Sequence, residues 1–254
     1  MAVLRELAGD ITKAVGINHL DVEPMARSAS NMTMLLRGGG QVFFAKIYTD
    51  ADLNALDANL RYDREKEILS QRWPVPTPTM VYSADVERVI VTREVPGHGF
   101  KHFMDEGRTL EALGMMARWI AGFHASADPQ PRDETLWDHF SQYEELEGNA
   151  AFADLRGLLQ SVPLTEYVLT KGDCTAHNFK FNENGAIGLD FEGAAYRAKE
   201  YDLVSMIRGL ASLTGESIEA MTDVVVQQYA TVRDIDDQEA TKAAVRALVE
   251  VTDY

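Results

Sequence analysis

The stretch that most constrains this chain runs over 169–203, LTKGDCTAHNFKFNENGAIGLDFEGAAYRAKEYDL. Asp173 is followed five residues later by Asn178, and a short strand-like run then leads to a second aspartate, Asp190. Three oxygen-bearing side chains on two adjacent turns are a donor set suited to a hard cation. Mg²⁺ takes oxygen ligands and is usually held by one or two carboxylates together with phosphate oxygens.

The segments Lys171-Gly172-Asp173, Asn178, Asp190-Phe191-Glu192 and Asp202-Leu203 together resemble the catalytic segment of the aminoglycoside phosphotransferase and choline kinase superfamily, a branch of the protein-kinase-like fold. The usual form is H-G-D, an Asn five residues after the Asp, a D-F-E or D-x-D segment, and a D-L pair. Asp-x4-Asn alone arises often by chance; its coupling to Asp-Phe-Glu and Tyr-Asp-Leu at matching distances does not. One position departs, since Lys171 stands where the family has His. The resemblance implies that Asp173 faces the hydroxyl to be phosphorylated and takes its proton. It also implies that Asn178 and Asp190 hold Mg²⁺, with Glu192 supporting a second ion or orienting Asp190. Asp202 is expected to buttress the loop. The Lys171 ammonium either lies beside Asp173, lowering its pKa, or points into solvent.

Bulk properties agree. A chain of 254 residues, 46% of them hydrophobic, can form one large domain or two small lobes sharing a cleft. A net charge of −16 disfavours nucleic acid and anionic membranes as partners and attracts a cationic substrate. The single cysteine, Cys174, excludes an internal disulfide and a Cys-rich zinc framework, and fits a reducing, cytoplasmic compartment. It reads as a buried small hydrophobe. The first 16 residues interleave charged and apolar side chains, as an amphipathic helix does and a secretory signal does not. No run approaches a membrane span.

After that helix, 21–48 reads as three short strands, with Arg37-Gly38-Gly39-Gly40 as a hairpin turn. The resemblance makes Lys46 the strand lysine that grips the α- and β-phosphates. It makes 27–31 the loop over the phosphates, where Ser30 and Asn31 match the family and the usual glycines do not. A charged helix is expected over 52–71. Glu65 is chosen as the partner that fixes Lys46, with Glu67 as the alternative. Strands at 80–82 and 86–92 lead to Arg93-Glu94-Val95-Pro96-Gly97, which resembles a hinge: the Arg93 carbonyl and the Val95 N–H would read adenine's edge.

Leu110, Leu113, Met116, Ile120 and Phe123 recur at helical spacing and form one apolar stripe. His124 reads as structural. Over 128–163 the family inserts helices that shape the acceptor site. Trp137, Phe140 and Tyr143 beside Glu144, Glu145 and Glu147 would suit an ammonium alcohol; an exposed acidic face is the plainer reading. His139 and His177 read as partly exposed. Two further helices follow Leu203, one carrying Ile218, Met221, Val225, Tyr229 and Val232, the other spanning 240–251.

The expected fold is α+β: a bilobal protein-kinase-like fold. Its N-terminal nucleotide-binding lobe, 1–95, carries an antiparallel sheet and a helix. Its mainly helical C-terminal lobe, 96–254, carries the catalytic loop and the acceptor site. The function expected from the resemblance is ATP- and Mg²⁺-dependent transfer of a γ-phosphate to a hydroxyl of a polar small molecule. An aminoglycoside-like antibiotic, choline or another amino alcohol, and a sugar or amino-acid metabolite are the candidate acceptors. A nucleotide-binding pseudokinase is the alternative, drawn from Lys171 and the missing loop glycines. A protein kinase is disfavoured, since no A-P-E follows Asp-Phe-Glu.

Overall fold

Consecutive glycines at 39 and 40, both at positive φ (58° and 74°), give the two-residue turn that matches strand twist. They join β2 (Asn31–Gly38) to β3 (Gln41–Tyr48), with Gly38 opposite Gln41. With β1 (Asp21–Arg27), β4 (Met80–Ala84) and β5 (Val89–Arg93), these form a five-stranded antiparallel sheet in the order β1-β2-β3-β5-β4. The computed structural model describes residues 2–27, 31–49, 57–143, 146 and 148–251. The strands at 21–48 and after Pro78 are thus found, except that the one expected from 86 begins at Val89, with 85–88 forming the turn before it. Alternation along β3 sends Phe43 and Ala45 into a core with Met34, Leu36, Val89 and Val91, closed by Leu7, Ile11 and Val15 of α1 (Ala2–Val15). The same alternation turns Lys46 and Tyr48 to the other face.

Helix α2 is Ala58–Ser70, shorter than the helix expected from 52. Asp57 caps it, its carboxylate accepting from the Leu60 N–H at 2.8 Å; residues 50–56 lie outside those described. Its buried residues, Ala58, Arg61, Tyr62, Glu65, Ile68 and Leu69, recur at spacings of three and four. Two charged side chains therefore lie on the inward face.

Contacts divide the chain into two compact units that interleave in sequence. The N-terminal unit is 1–72, 77–96 and 190–193; the C-terminal unit is 73–76, 97–189 and 194–254. Within the second, α3 (Phe100–Asp105) precedes α4 (Thr109–His124). On α4, Leu113, Met116, Ile120 and Phe123 are buried. It packs against α8 (Lys199–Thr214), α9 (Ile218–Ala230), β7 (Pro163–Thr170) and β9 (Gly185–Gly188). Strand β8 (Phe179–Asn182) pairs with β9, and β10 (Ala195–Arg197) with β7. The helix α10 (Gln238–Val251) closes the unit. Val232, expected at the end of the α9 stripe, falls beyond the helix and is exposed.

Between α4 and β7 the expectation of helices alone is corrected. Residues Gln130–Thr135 form a strand, β6, on the edge of the β10-β7-β6 sheet, before the short helices α5 (Leu136–Phe140), α6 (Ala150–Asp154) and α7 (Arg156–Gln160). The sequence QPRDET hides it because charge and proline are what an exposed edge strand tolerates. Among the described residues no helix is long and apolar enough to cross a membrane.

Candidate active site

In the N-terminal unit, β3 and α2 meet the 190–193 segment around one ammonium. Lys46 Nζ lies 2.8 Å from Glu65 Oε2, 2.7 Å from Asp190 Oδ1 and 3.1 Å from Glu192 Oε2. Tyr48, two residues along the strand and on the same face, donates its hydroxyl to Glu65 Oε2. Its ring lies 5.0 Å from Lys46 Nζ. Burial pulls the Lys46 ammonium down, but Glu65, Asp190 and Glu192 together override it and hold it charged above the ordinary lysine value. Burial likewise raises Glu65, with Lys46 opposing, and raises the Tyr48 phenol.

Asp190 sits at φ +60°, in the left-handed region that Asp tolerates better than most residues. Oxygens of Glu65, Asp190 and Glu192 all lie within 4.8 Å of one another. These are hard donors, so the chemistry of the set fits Mg²⁺.

Asn31, at the start of β2, donates Nδ2 to both Glu192 oxygens, at 2.9 and 3.2 Å. Its Oδ1 accepts from Arg61 Nη1 at 3.0 Å.

In the C-terminal unit the loop after β7 is built around Asp202, in the first turn of α8. Asp202 Oδ2 accepts from the Lys171 N–H at 2.6 Å and Oδ1 from the Gly172 N–H at 2.9 Å. His124 Nε2 donates to Asp202 at 3.0 Å, which leaves Nδ1 facing the Tyr229 hydroxyl at 2.9 Å. Burial opposes ionisation of Asp202, yet His124 and the two N–H groups outweigh it and hold the carboxyl below the usual range. Asp202 therefore buttresses the loop, as expected. Gly172 takes φ +92°, which L side chains rarely adopt.

Lys171 resolves its two alternatives toward the interior. It is fully buried, and Nζ donates to the Asp173 carbonyl at 2.5 Å, 5.6 Å from the Phe179 ring centroid. This contact is with the backbone of Asp173 rather than with its carboxylate. That carboxylate is on an exposed residue, and Oδ1 accepts from the Thr175 N–H at 3.0 Å and hydroxyl at 2.7 Å. Asn178 is buried in a single 3₁₀ turn, Ala176–Asn178, with Nδ2 3.5 Å from the Asp173 carbonyl. Cys174 is buried, and burial pushes its thiol up.

Of the residues singled out in the sequence, Lys46, Glu65, Asp190, Glu192 and Asn31 come together in the N-terminal unit. Glu67 is exposed. Asp173 and Asn178 belong to the C-terminal unit. Arg93 ends β5, with its exposed side chain on Gln41 and the Phe43 ring, and Val95 is half-buried in the coil beyond. Ser30, Glu144, Glu145 and Glu147 lie outside the described residues. His177 is exposed, but His139 is buried, a correction. Sequence reasoning missed Tyr48 and Arg61. The only signal for Arg61 was its place four residues before Glu65 on one helix.

The profile of the phosphotransferase enzyme family (APH) matches residues 21–248. No curated protein sequence matches the chain. Among solved structures, choline kinase from Cryptosporidium parvum Iowa II superposes with a TM-score of 0.64 at 11% identity, covering 98% of this chain and 86% of that one. An aminoglycoside-3'-phosphotransferase of type VIII gives 0.59 at 22% identity, covering 96% and 98%. The gentamicin complex of APH(2")-IIa gives 0.60 at 14% identity, covering 94% and 84%. At these identities the likeness is one of fold, and the fold is the bilobal, kinase-like α+β type.

Proposed function

This chain belongs to the phosphotransferase enzyme family and is, by that membership, a small-molecule kinase; we propose that it moves the γ-phosphate of ATP, with Mg²⁺, onto a hydroxyl of a polar small molecule. The observation that carries the reading is the Lys46 ammonium, held by Glu65 from a helix and Asp190 from a strand-end turn. An ammonium fixed from two sides offers a charge of set position to the α- and β-phosphate oxygens, and positioning is most of what phosphoryl transfer asks of a protein. The backbone at Ser30 and Asn31 would cover the phosphates, and the Arg93 carbonyl and Val95 N–H would meet adenine. Asp190 and Glu192 would be the oxygen donors for the ion within the N-terminal unit, and Asn178 is the further donor that the family resemblance implies. Bound there, Mg²⁺ would neutralise charge on the β- and γ-phosphates.

Asp173 accepts a hydrogen bond from the acceptor hydroxyl and takes its proton as the new O–P bond forms and the bond from the γ-phosphorus to the β–γ bridging oxygen breaks, releasing ADP. The Lys171 ammonium on the Asp173 carbonyl supports this role, because it ties down the loop despite the absent His. The net charge of −16 favours a cationic alcohol. The relatives of like fold include a choline kinase and complexes with gentamicin and streptomycin. A cytoplasmic setting fits the single buried cysteine.

Thermal unfolding tests the nucleotide. MgATP at about 100 times its Kd should stabilise the protein by about 2.7 kcal/mol, and Lys46→Met should lose most of that shift. A wild-type protein that melts at the same temperature with and without millimolar MgATP would overturn the reading.

A further inference from the structure

We propose that Arg61 is a positioning residue that ties the 190–193 segment and the start of β2 to α2, so that the three shift together. The inference deepens the proposed function and rests on reading the Lys46 cluster as the nucleotide site.

Arg61 is 0% exposed. A guanidinium removed from water costs several kcal/mol unless it is paired and hydrogen-bonded, and an apolar side chain of similar volume is often the more stable choice. Here the charge serves three segments. Nη1 lies 3.0 Å from Asn31 Oδ1 and 3.5 Å from Glu192 Oε2, and Nη2 donates to the Thr49 carbonyl at 3.0 Å. The guanidinium carbon also stands 5.8 Å from the Tyr48 ring centroid.

Asn31 closes the ring. A carboxylate only accepts and a guanidinium only donates, so the amide must turn Nδ2 to Glu192 and Oδ1 to Arg61. Its contacts are arranged that way. A planar fork reaches acceptors on several segments at once, whereas a lysine is a single point charge.

Arg61 lies one turn before Glu65 on the buried face of α2. Any displacement of α2 that parts Glu65 from Lys46 must therefore also pull on Asn31 and Glu192. Pairing of the lysine and placement of the oxygen donors become one variable instead of two.

The test is hydrogen exchange by mass spectrometry on the nucleotide-free protein, comparing wild type with Arg61→Lys and Asn31→Asp. Arg61→Lys keeps charge and stem but loses the fork. Peptides covering 190–195 and 31–34 should exchange about tenfold faster, the loss of roughly one charged hydrogen bond, while 62–70 stays within about twofold. Asn31→Asp sets a second carboxylate against Glu192 and should speed exchange at 190–195 with α2 unchanged; it carries the test if Arg61→Lys does not fold. Unchanged exchange in 190–195, or a rise confined to α2 or spread evenly over 21–96, would overturn the proposal. No nucleotide is used, so a protein that proved not to bind ATP would refute the function without deciding this result.

Discussion

One oxygen of Glu65 accepts from both Lys46 and Tyr48, while Glu67, two residues on, is exposed. The family resemblance had pointed to Glu65 with Glu67 as the alternative, and it is Glu65 that Lys46 meets. Arg61 was not legible, because a helix dense in charge reads as a solvated face and nothing in its letters marks the arginine that turns inward. His139 shows the same limit. It is 4% exposed, and Tyr167 donates to Glu134 at 2.9 Å, so the Tyr167 oxygen accepts from His139 Nδ1–H at 3.1 Å. Nε2 then faces the Tyr143 hydroxyl at 3.4 Å, and the imidazole is neutral. Burial, with Arg197 adding to it and Glu200 opposing, pulls its pKa from 6.5 down to about 4. The unfolded chain takes up this proton as pH falls through 6.5, and the folded protein does so only near 4. Stability present above 6.5 is therefore lost across that window, on the order of 3 kcal/mol. Urea unfolding at pH 7.5 and 4.5 should show wild type losing about that much more than His139→Gln. An equal loss in both would place the titration elsewhere.

At the scale of elements, hairpin, strands and the α4 stripe followed from turn glycines and periodicity. The start of α2 and the edge strand β6 did not, because a cap and a pairing partner set them, not composition. Packing between elements was equally hidden. Trp119 on α4 stacks on Phe123 at 5.2 Å, meets Phe179 edge-on at 5.5 Å, and donates Nε1 to the Pro76 carbonyl at 2.8 Å. Gly188, ending β9, makes room for it: a Cβ there would stand 2.4 Å from the indole. Gly188→Ala should cost about 1–3 kcal/mol by forcing α4 and β9 apart. Denaturant melts with near-ultraviolet circular dichroism would check it, and an unchanged midpoint and tryptophan signal would contradict the packing.

Over the whole molecule, the sequence named the family because the Asp173, Asn178, Asp190 and Asp202 spacings are a composite that chance does not supply, and the family profile spans 21–248. It did not foresee that 190–193 would join the N-terminal unit, since membership of a compact unit is decided by contacts. The acceptor is the least legible part. Charge gives only a sign, and the glutamates at 144, 145 and 147 lie outside the described residues. Fold alone does not choose a substrate. The most direct measurement is mass spectrometry of the purified protein incubated with MgATP and pooled aminoglycosides, choline-like alcohols, sugars and hydroxy amino acids, with Asp173→Asn alongside. The expected result is an acceptor heavier by one phosphoryl group, made by wild type and not by Asp173→Asn, while the variant still gains thermal stability from MgATP. Equal product from Asp173→Asn would contradict the assigned base, and MgATP stabilisation with no product from any pool would contradict the kinase reading in favour of a nucleotide-binding module.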